Sequence, residues 1–155
     1  MHSIILSPGK FTARSAEKLL FELYSKRLPH GIELREIDNR STLPPLTQRE
    51  LEGSLLLKAI PAGAPVIALD EKGKALTSLE FAKLLESLSM TKKPPLYFAI
   101  GGAYGLATGV KQRADTLLSF GSVTWPHMLM RVLVAEQLYR AYTILSGHPY
   151  HKGDL

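Results

Sequence analysis

The chain has 155 residues, 45% of them apolar, no cysteine and a formal net charge of +5. This length suits a single domain over 1–155 with a sizeable core, and the lack of cysteine excludes disulfides, thiolate metal sites and a cysteine nucleophile. No stretch approaches the roughly 18 consecutive apolar residues of a membrane span, and the N-terminus lacks the basic segment of a signal peptide, so a cytoplasmic protein is expected.

Strands and helices are predicted to alternate along the whole chain. Short apolar or alternating runs bounded by Pro, Gly or Asp predict strands at residues 3–6, 32–37, 66–69, 96–100 and 122–125. Amphipathic spacing and flanking Pro or Gly predict helices at residues 11–27, 47–60, 78–88, 108–118 and 126–145. Thr47 with Glu50, and Thr77 with Glu80, have the capping-box spacing that opens a helix. This order predicts an α/β fold with a mainly parallel sheet covered on both faces.

Loops at the ends of three predicted strands are the first candidates for a site, because ligands of such sheets bind beyond the carboxyl ends of the strands. These loops follow Leu69, Ile100 and Trp125. After Ile100 the sequence runs Gly101-Gly102-Ala103-Tyr104-Gly105, and glycine there lets the backbone come close to a ligand. The dinucleotide-binding Gly-x-Gly-x-x-Gly and the phosphate-binding Gly-Lys-Ser/Thr are both missing. A tight turn without a ligand explains this loop equally well.

The last predicted helix is apolar on nearly every side. A helix without a polar face is buried nearly all round, and the sheet of a small domain covers only one side. We therefore expect a second subunit on the other side, with a helix fully interior to the monomer as the alternative. Glu136 and Arg140 are four residues apart and are expected to pair. Arg131 fits either a structural role or contact with RNA phosphate.

The chain ends on two histidines that flank a proline and a tyrosine, His148-Pro149-Tyr150-His151. No third ligand accompanies the two imidazoles, so no metal site is expected. Side chains of these types suit gripping RNA or moving a proton. The alternative is a frayed terminus without a role.

Four segments are distinctive when taken together. They are Ile100-Gly101-Gly102-x-x-Gly105, Pro126-His127, the run from Arg131 to Ala141, and His148-Pro149-Tyr150-His151, with weaker matches at Gly9-Lys10 and Leu69-Asp70. In these segments the chain resembles the ribosomal RNA large-subunit methyltransferase H family of the SPOUT superfamily. The resemblance spans essentially the whole chain and is most specific in its last third.

This resemblance implies a fold, a reaction and a set of partners. The fold is a single SPOUT-type α/β domain whose deep trefoil knot and cofactor loops lie within about residues 96–155, a rare exception to unthreaded chains. The reaction is methyl transfer from S-adenosylmethionine to N3 of a pseudouridine in 23S ribosomal RNA, within the large subunit or the assembled ribosome. A homodimer is implied, without a metal or a membrane. The cofactor-binding residues implied by position are Leu69, Gly101, Gly102, Gly121, Ser122, Val123, Thr124, Trp125 and Pro126.

The implied reaction needs a proton acceptor, because N3 of the base must lose its proton to become a good nucleophile. Histidine is the natural acceptor near neutral pH. The candidate catalytic residues are His151, His148 and His127 in that order, Tyr150 to stack on or hydrogen-bond the base, and Arg131. The tail would have to fold over the pocket when RNA arrives. Orientation of the reactants alone is the alternative, and it can supply about 7–11 kcal/mol.

Two other functions compete with this interpretation. A net charge of +5 suits a polyanionic partner and fits a non-catalytic RNA-binding module, which gives no reason for glycine-rich loops at several strand ends. A nucleotide-binding oxidoreductase is disfavoured, because the phosphate-binding glycine pattern is missing.

Overall fold

Strands and helices alternate along the computed structural model, which describes residues 1–38 and 42–153. The strands of these ranges are β1 Ser3–Pro8, β2 Ile32–Ile37, β3 Val66–Ala75, β4 Leu96–Ala99 and β5 Thr116–Ser119. The helices are α1 Ala16–Arg27, α2 Pro45–Lys58, α3 Ser78–Thr91, α4 Thr108–Arg113 and α5 His127–Ser146. None of these described helices is both long and apolar enough to cross a lipid bilayer.

The five described strands form one parallel sheet in the order β2-β1-β4-β3-β5. Every residue of β1 and of β4 is buried, which explains why these central strands are almost continuously apolar. β2 lies at one edge, and only Ile32 of that strand is fully buried, which explains its alternation of apolar and charged residues. The predicted α/β fold with a mainly parallel sheet is confirmed.

The sheet separates two apolar cores. Successive residues of a strand point to opposite faces, so Ile5 packs with residues of α1, α3 and α5, while Ile4 and Leu6 pack with residues of α2 and α4. Burying a side chain of this size stabilises the fold by roughly 1.5–3 kcal/mol. Because helices cover both faces, a ligand reaches the strands at their ends.

The helix starts follow the capping chemistry rather than the apolar pattern. α1 begins later than predicted, because the Ser15 hydroxyl accepts a hydrogen bond from the Lys18 N–H at 3.2 Å and caps the helix there. α2 begins at Pro45, whose fixed φ suits a first turn, and the capping box predicted at Thr47 was wrong. The box predicted at Thr77 is confirmed, with both of its hydrogen bonds present.

The segment between β4 and α5 differs most from the sequence prediction. The helix predicted over 108–118 ends with the short α4, and the strand predicted over 122–125 was wrong, since the last strand is β5 at Thr116–Ser119. Asp115 explains the difference. Its carboxylate accepts a hydrogen bond from the Val66 N–H at 2.8 Å, and its own N–H donates to the Val66 carbonyl at 2.8 Å, which docks the following residues beside β3. A local pattern does not contain this distant partner.

Candidate functional site

A cleft of about 770 Å³ lies at the carboxyl ends of β3, β4 and β5. One wall is the loop after β4, residues 100–106, and the opposite wall is the loop over 120–127 that leads into α5. Between them, β3 breaks its pairing with β5 after Leu69, and residues 70–73 bulge outwards before pairing resumes at Lys74. The three segments meet at the edge of the sheet where parallel α/β proteins bind their ligands.

Most of the residues predicted to bind a cofactor lie on the walls of this cleft. Eight of the nine line it, namely Leu69, Gly101, Gly102, Gly121, Val123, Thr124, Trp125 and Pro126. The ninth, Ser122, belongs to the same loop but does not line the cleft. His127, a predicted catalytic residue, lines it as well. The structure thus brings together segments that the sequence separates, while their role as cofactor ligands stays a prediction.

The loop after β4 is a tight turn that depends on glycine. The Gly105 N–H donates a hydrogen bond to the Gly102 carbonyl at 3.1 Å, and Gly105 has a φ of +78°, which residues with a side chain rarely adopt. A Cβ on Gly101 would lie 2.6 Å from the carbonyl carbon of Gly105. The turn therefore closes only with glycine at these positions, and it carries Ala103 and Tyr104 at its tip.

A buried carboxylate lies directly behind this turn. Glu52 of α2 is 3% exposed, and neither of its carboxylate oxygens has a hydrogen-bond partner among the described residues. A Cβ on Gly102 would lie 2.7 Å from Oε2 of Glu52, and burial raises the pKa of Glu52. Buried polar groups are usually hydrogen-bonded, so Glu52 is an unusual group behind the turn, although its side chain does not itself line the cleft. Sequence analysis missed Glu52, whose only signal is its four-residue spacing from the buried Leu56.

Polar contacts connect the bulge of β3 to the rest of the cleft. Thr124 Oγ1 donates a hydrogen bond to Glu71 Oε2 at 2.9 Å, and Lys111 Nζ lies 2.8 Å from Asp70 Oδ2. Burial opposes ionisation of Asp70, but hydrogen bonds from the Lys111 side chain and the Lys72 backbone outweigh it and lower the pKa of Asp70. The bulge is therefore held as a charged, ordered segment between the two walls.

Arg131, a predicted catalytic residue, lies inside the fold and does not line the cleft. Its side chain is fully buried. It donates hydrogen bonds to the Ser7 hydroxyl at 3.1 Å, Glu36 Oε2 at 2.9 Å, the Pro8 carbonyl at 2.9 Å and the Gly9 carbonyl at 2.7 Å. Burial lowers the pKa of Arg131, and the contact with Glu36 opposes that shift. The guanidinium joins α5 to the ends of β1 and β2.

Arg131→Met is expected to lower the free energy of unfolding by about 2–3 kcal/mol, because four oxygen acceptors lose their donor while the side-chain volume is nearly kept. Urea unfolding followed by circular dichroism measures the change. Lys83→Met removes one positive charge from an exposed site of α3 and is the matched control, with an expected change below about 0.5 kcal/mol. An Arg131 variant as stable as the wild type would contradict this structural role.

The C-terminal tail folds back along α5, away from the cleft. The predicted pair of Glu136 and Arg140 is confirmed, with 2.6 Å between Oε1 and the guanidinium NH2. The Tyr150 hydroxyl donates to the same carboxylate oxygen at 3.1 Å, and the Tyr150 ring lies 4.7 Å from the ring of Tyr139 between centroids. Arg140 NH1 lies 3.1 Å from His151 Nδ1. Burial raises the pKa of Tyr150 to about 12.

The predicted catalytic side chains therefore lie in three places, with Arg131 buried inside the fold. His148, Tyr150 and His151 belong to the tail and do not line the cleft of their own chain. His127 lines the cleft, and burial together with the charge of Arg131 lowers the pKa of His127, so its imidazole is neutral at physiological pH. Within 1–38 and 42–153, no three His, Cys, Asp or Glu side chains are grouped so that they could hold a metal ion.

The chain is similar to known proteins over nearly its full length. Residues 1–151 match the family model described as "Predicted SPOUT methyltransferase". A relative from Paramagnetospirillum magneticum, named ribosomal RNA large subunit methyltransferase H, is 47% identical over 154 residues, which cover 98% of this chain and 99% of the relative. A relative of the same name from Rhodospirillum rubrum is 46% identical over 152 residues, with 98% and 99% coverage.

A solved structure shares the fold. A probable methylase family protein from Haemophilus influenzae superposes with a TM-score of 0.55 at 10% identity, covering 98% of this chain and 70% of that chain. At so low an identity the likeness concerns the fold alone. The family model and the two relatives carry the assignment further and confirm the resemblance found in the sequence: the chain belongs to the SPOUT methyltransferase family, among the proteins named ribosomal RNA large subunit methyltransferase H.

Proposed function

We propose that this chain transfers a methyl group from S-adenosylmethionine to N3 of a pseudouridine in 23S ribosomal RNA, within the large subunit or the assembled ribosome. The observation that carries the proposal is the cleft at the carboxyl edge of the sheet, where eight of nine expected cofactor residues meet. The relatives that match the chain from end to end are named as ribosomal RNA large subunit methyltransferases. A ribosomal substrate also favours action in the cytoplasm.

The residues of the cleft fit this cofactor. Leu69, Ile100 and Leu118 line the cleft with apolar surface suited to a nucleoside. Gly101 and Gly102 line the cleft with their backbone, and the turn can pack this closely because a Cβ on either residue would meet Gly105 or Glu52. When bound, the cofactor supplies a methyl group that its sulfonium activates, so the transfer itself requires no metal.

The protein's own task is to orient the base and accept the proton from N3. His127 lies at the cleft as a neutral imidazole and can accept a proton there. His151 and His148 lie on the tail, as does Tyr150, and they reach a cleft only if the tail moves or belongs to a second copy. In the proposal, the tail of one chain covers the cleft of its partner, with Tyr150 stacking on or hydrogen-bonding the base.

A homodimer is part of the proposal, and apolar surface without a partner supports it. Leu19, Leu20 and Leu23 of α1 are 58%, 42% and 44% exposed. Tyr142 and Leu145 of α5 are 39% and 48% exposed, and α1 and α5 pack against each other. Neighbouring exposed apolar side chains are typical of interfaces. A second copy on these helices would complete the burial expected for α5.

A trefoil knot within about residues 96–155 is the remaining structural part of the proposal. A knot there requires the end of β5 and the loop that follows it to pass close to the bulge of β3, and they do so. The Ser119 hydroxyl donates to the Glu71 carbonyl at 3.1 Å, and Thr124 binds the Glu71 carboxylate at 2.9 Å.

Large subunits and ribosomes that lack the modification are expected to gain a methyl group on pseudouridine when they are incubated with the protein and labelled S-adenosylmethionine. Mass spectrometry of digested 23S ribosomal RNA locates the group. Calorimetry with S-adenosylhomocysteine and with NAD is the control. Binding of NAD alone would favour an oxidoreductase, and binding of RNA with neither ligand would favour a non-catalytic RNA-binding module.

A further inference from the structure

The mouth of the cleft carries an exposed aromatic side chain and a cation to which the proposed reaction gives no role. Tyr104 lies at the tip of the turn after β4 and is 45% exposed. Arg49 lies on α2, and both residues line the cleft. α2 passes directly behind the turn, because a Cβ on Gly102 would meet Glu52, which is about one helical turn from Arg49. Tyr104 and Arg49 therefore belong to the same wall.

Tyr104 is held in place by its backbone and lacks an aromatic or cationic partner. Its turn is closed by the 3.1 Å hydrogen bond from the Gly105 N–H to the Gly102 carbonyl. Within 1–38 and 42–153, no other aromatic ring and no guanidinium packs against its ring. The turn sets where the Tyr104 side chain leaves the backbone, and its exposed ring offers a flat surface on which a base can stack.

Arg49 has unused hydrogen-bonding capacity at the same wall. Its Nε is buried and has no hydrogen-bond partner among the described residues. The carboxylate with which it pairs is Glu50, at 4.0 Å between Nε and Oε1, and the Glu50 side chain is 63% exposed. Exposed pairs of this kind contribute little. The Arg49 side chain is 32% exposed as a whole, so the outer part of its guanidinium can donate to an oxyanion such as a phosphate.

The other charged groups of the cleft leave it attractive to an anion. The two acidic side chains are engaged, Asp70 with Lys111 at 2.8 Å and Glu71 with Thr124 at 2.9 Å. Lys72 adds a further cation on the bulge between the walls. A phosphodiester that approaches Arg49 therefore meets a site with positive charge in excess.

We infer that Tyr104 and Arg49 together bind one unpaired nucleotide of the ribosomal RNA at the mouth of the cleft, Tyr104 by stacking on the base and Arg49 by hydrogen bonds to the phosphate. The inference rests on the proposed function. RNA bases are recognised mainly where they are unpaired and can stack on aromatic side chains, and such stacking is combined with cations along the backbone. Trp125 on the opposite wall is less free to adapt, because its Nε1 donates to the Phe120 carbonyl at 3.2 Å.

The test measures the dissociation constant of the complex between the protein, saturated with S-adenosylhomocysteine, and unmodified large ribosomal subunits. Tyr104→Ala should weaken binding about tenfold, and Tyr104→Phe, which keeps the ring, should stay within about twofold of wild type. Arg49→Gln should weaken binding about fivefold and reduce the slope of log affinity against log salt by about 0.7, the value for one phosphate contact. Lys58→Gln removes the same charge from an exposed position of α2 outside the cleft and should change neither quantity.

The affinity for S-adenosylhomocysteine, measured separately, should stay within about twofold of wild type in all four variants. Subunit binding by Tyr104→Ala and Arg49→Gln equal to that of wild type would overturn the inference. So would a tenfold loss of cofactor affinity with subunit binding retained, since it would assign both residues to the cofactor. If the wild-type protein binds subunits but does not methylate them, the proposed reaction is wrong. The dissociation constants of the variants relative to that of the wild type still test the inference in that case.

Discussion

Gly101→Ala is expected to lower the affinity of the protein for S-adenosylhomocysteine about a hundredfold, equivalent to about 2.7 kcal/mol. The added Cβ would lie 2.6 Å from the carbonyl carbon of Gly105, 2.8 Å from its oxygen and 2.9 Å from the Leu106 nitrogen. All three are backbone atoms, so no side-chain rotation relieves the contact and the turn has to move. A displaced turn takes one wall of the cleft away from the ligand. Isothermal titration calorimetry measures the loss.

Gly109→Ala is the matched control for this prediction. Gly109 lies on α4 outside the cleft, and a Cβ there would lie 3.4 Å from Leu57 Cδ1, close to ordinary contact. Because alanine favours a helix over glycine by about 0.8–1.0 kcal/mol, this variant should keep its ligand affinity and unfold at the same or a higher temperature. A folded Gly101→Ala protein with wild-type affinity would show that the turn after β4 is not part of the cofactor site.

The position of the site follows from the sequence because it depends on a general property of parallel sheets. Apolar runs identify β4 and the first part of β3, and the ends of these runs at Leu69 and Ile100 have to meet at one edge of the sheet. The charged continuation of β3 to Ala75 was not predicted. β5 could not be placed in the same way. Its residues follow a helical pattern, and only the hydrogen bonds between Asp115 and Val66 set their register beside β3. Pairing with a distant strand outweighs local preference there.

The wall formed by α2 was missed for a related physical reason. Glu52 and Arg49 carry ordinary helical charges in the sequence, and helices commonly hold such residues on a solvated face. Their significance comes from the crossing of α2 behind the turn after β4, which leaves Glu52 buried against Gly102. No periodicity encodes that contact. Close approach of Gly53 to Ala107, where an added Cβ would lie 2.5 Å from the Ala107 Cβ, brings the helix there.

The tail residues, unlike those of α2, were recognised as candidates in the sequence, but their location was not predicted. Their residue types suggested chemistry, but their location could not be predicted from the sequence, because terminal segments take their position from whatever surface binds them. The surface is the Glu136–Arg140 pair, which holds both Tyr150 and His151 on α5. The chain therefore presents these side chains as an ordered group that does not line its own cleft. In the proposed homodimer they would act at the cleft of the partner.

His151→Ala is expected to slow single-turnover methylation of large subunits by about 10²–10⁴-fold, the usual contribution of a general base, with the affinity for S-adenosylhomocysteine unchanged. Arg140 NH1 lies 3.1 Å from His151 Nδ1, a contact in which the guanidinium can only donate. In the proposal the tail leaves Arg140 and meets the base, and the imidazole of His151 then accepts the proton from N3. Rapid-quench assays in which the enzyme is in excess over the ribosomal subunits measure the rate.

Added imidazole distinguishes a general base from a residue that only holds the tail in place, because a small base can enter the space left by His151→Ala and should restore part of the rate. His30→Ala removes an exposed histidine that does not line the cleft and should react at the wild-type rate. If His151→Ala also reacts at that rate, proton transfer does not involve His151. His148 on the tail, His127 at the cleft, or orientation of the reactants alone, would then have to account for catalysis.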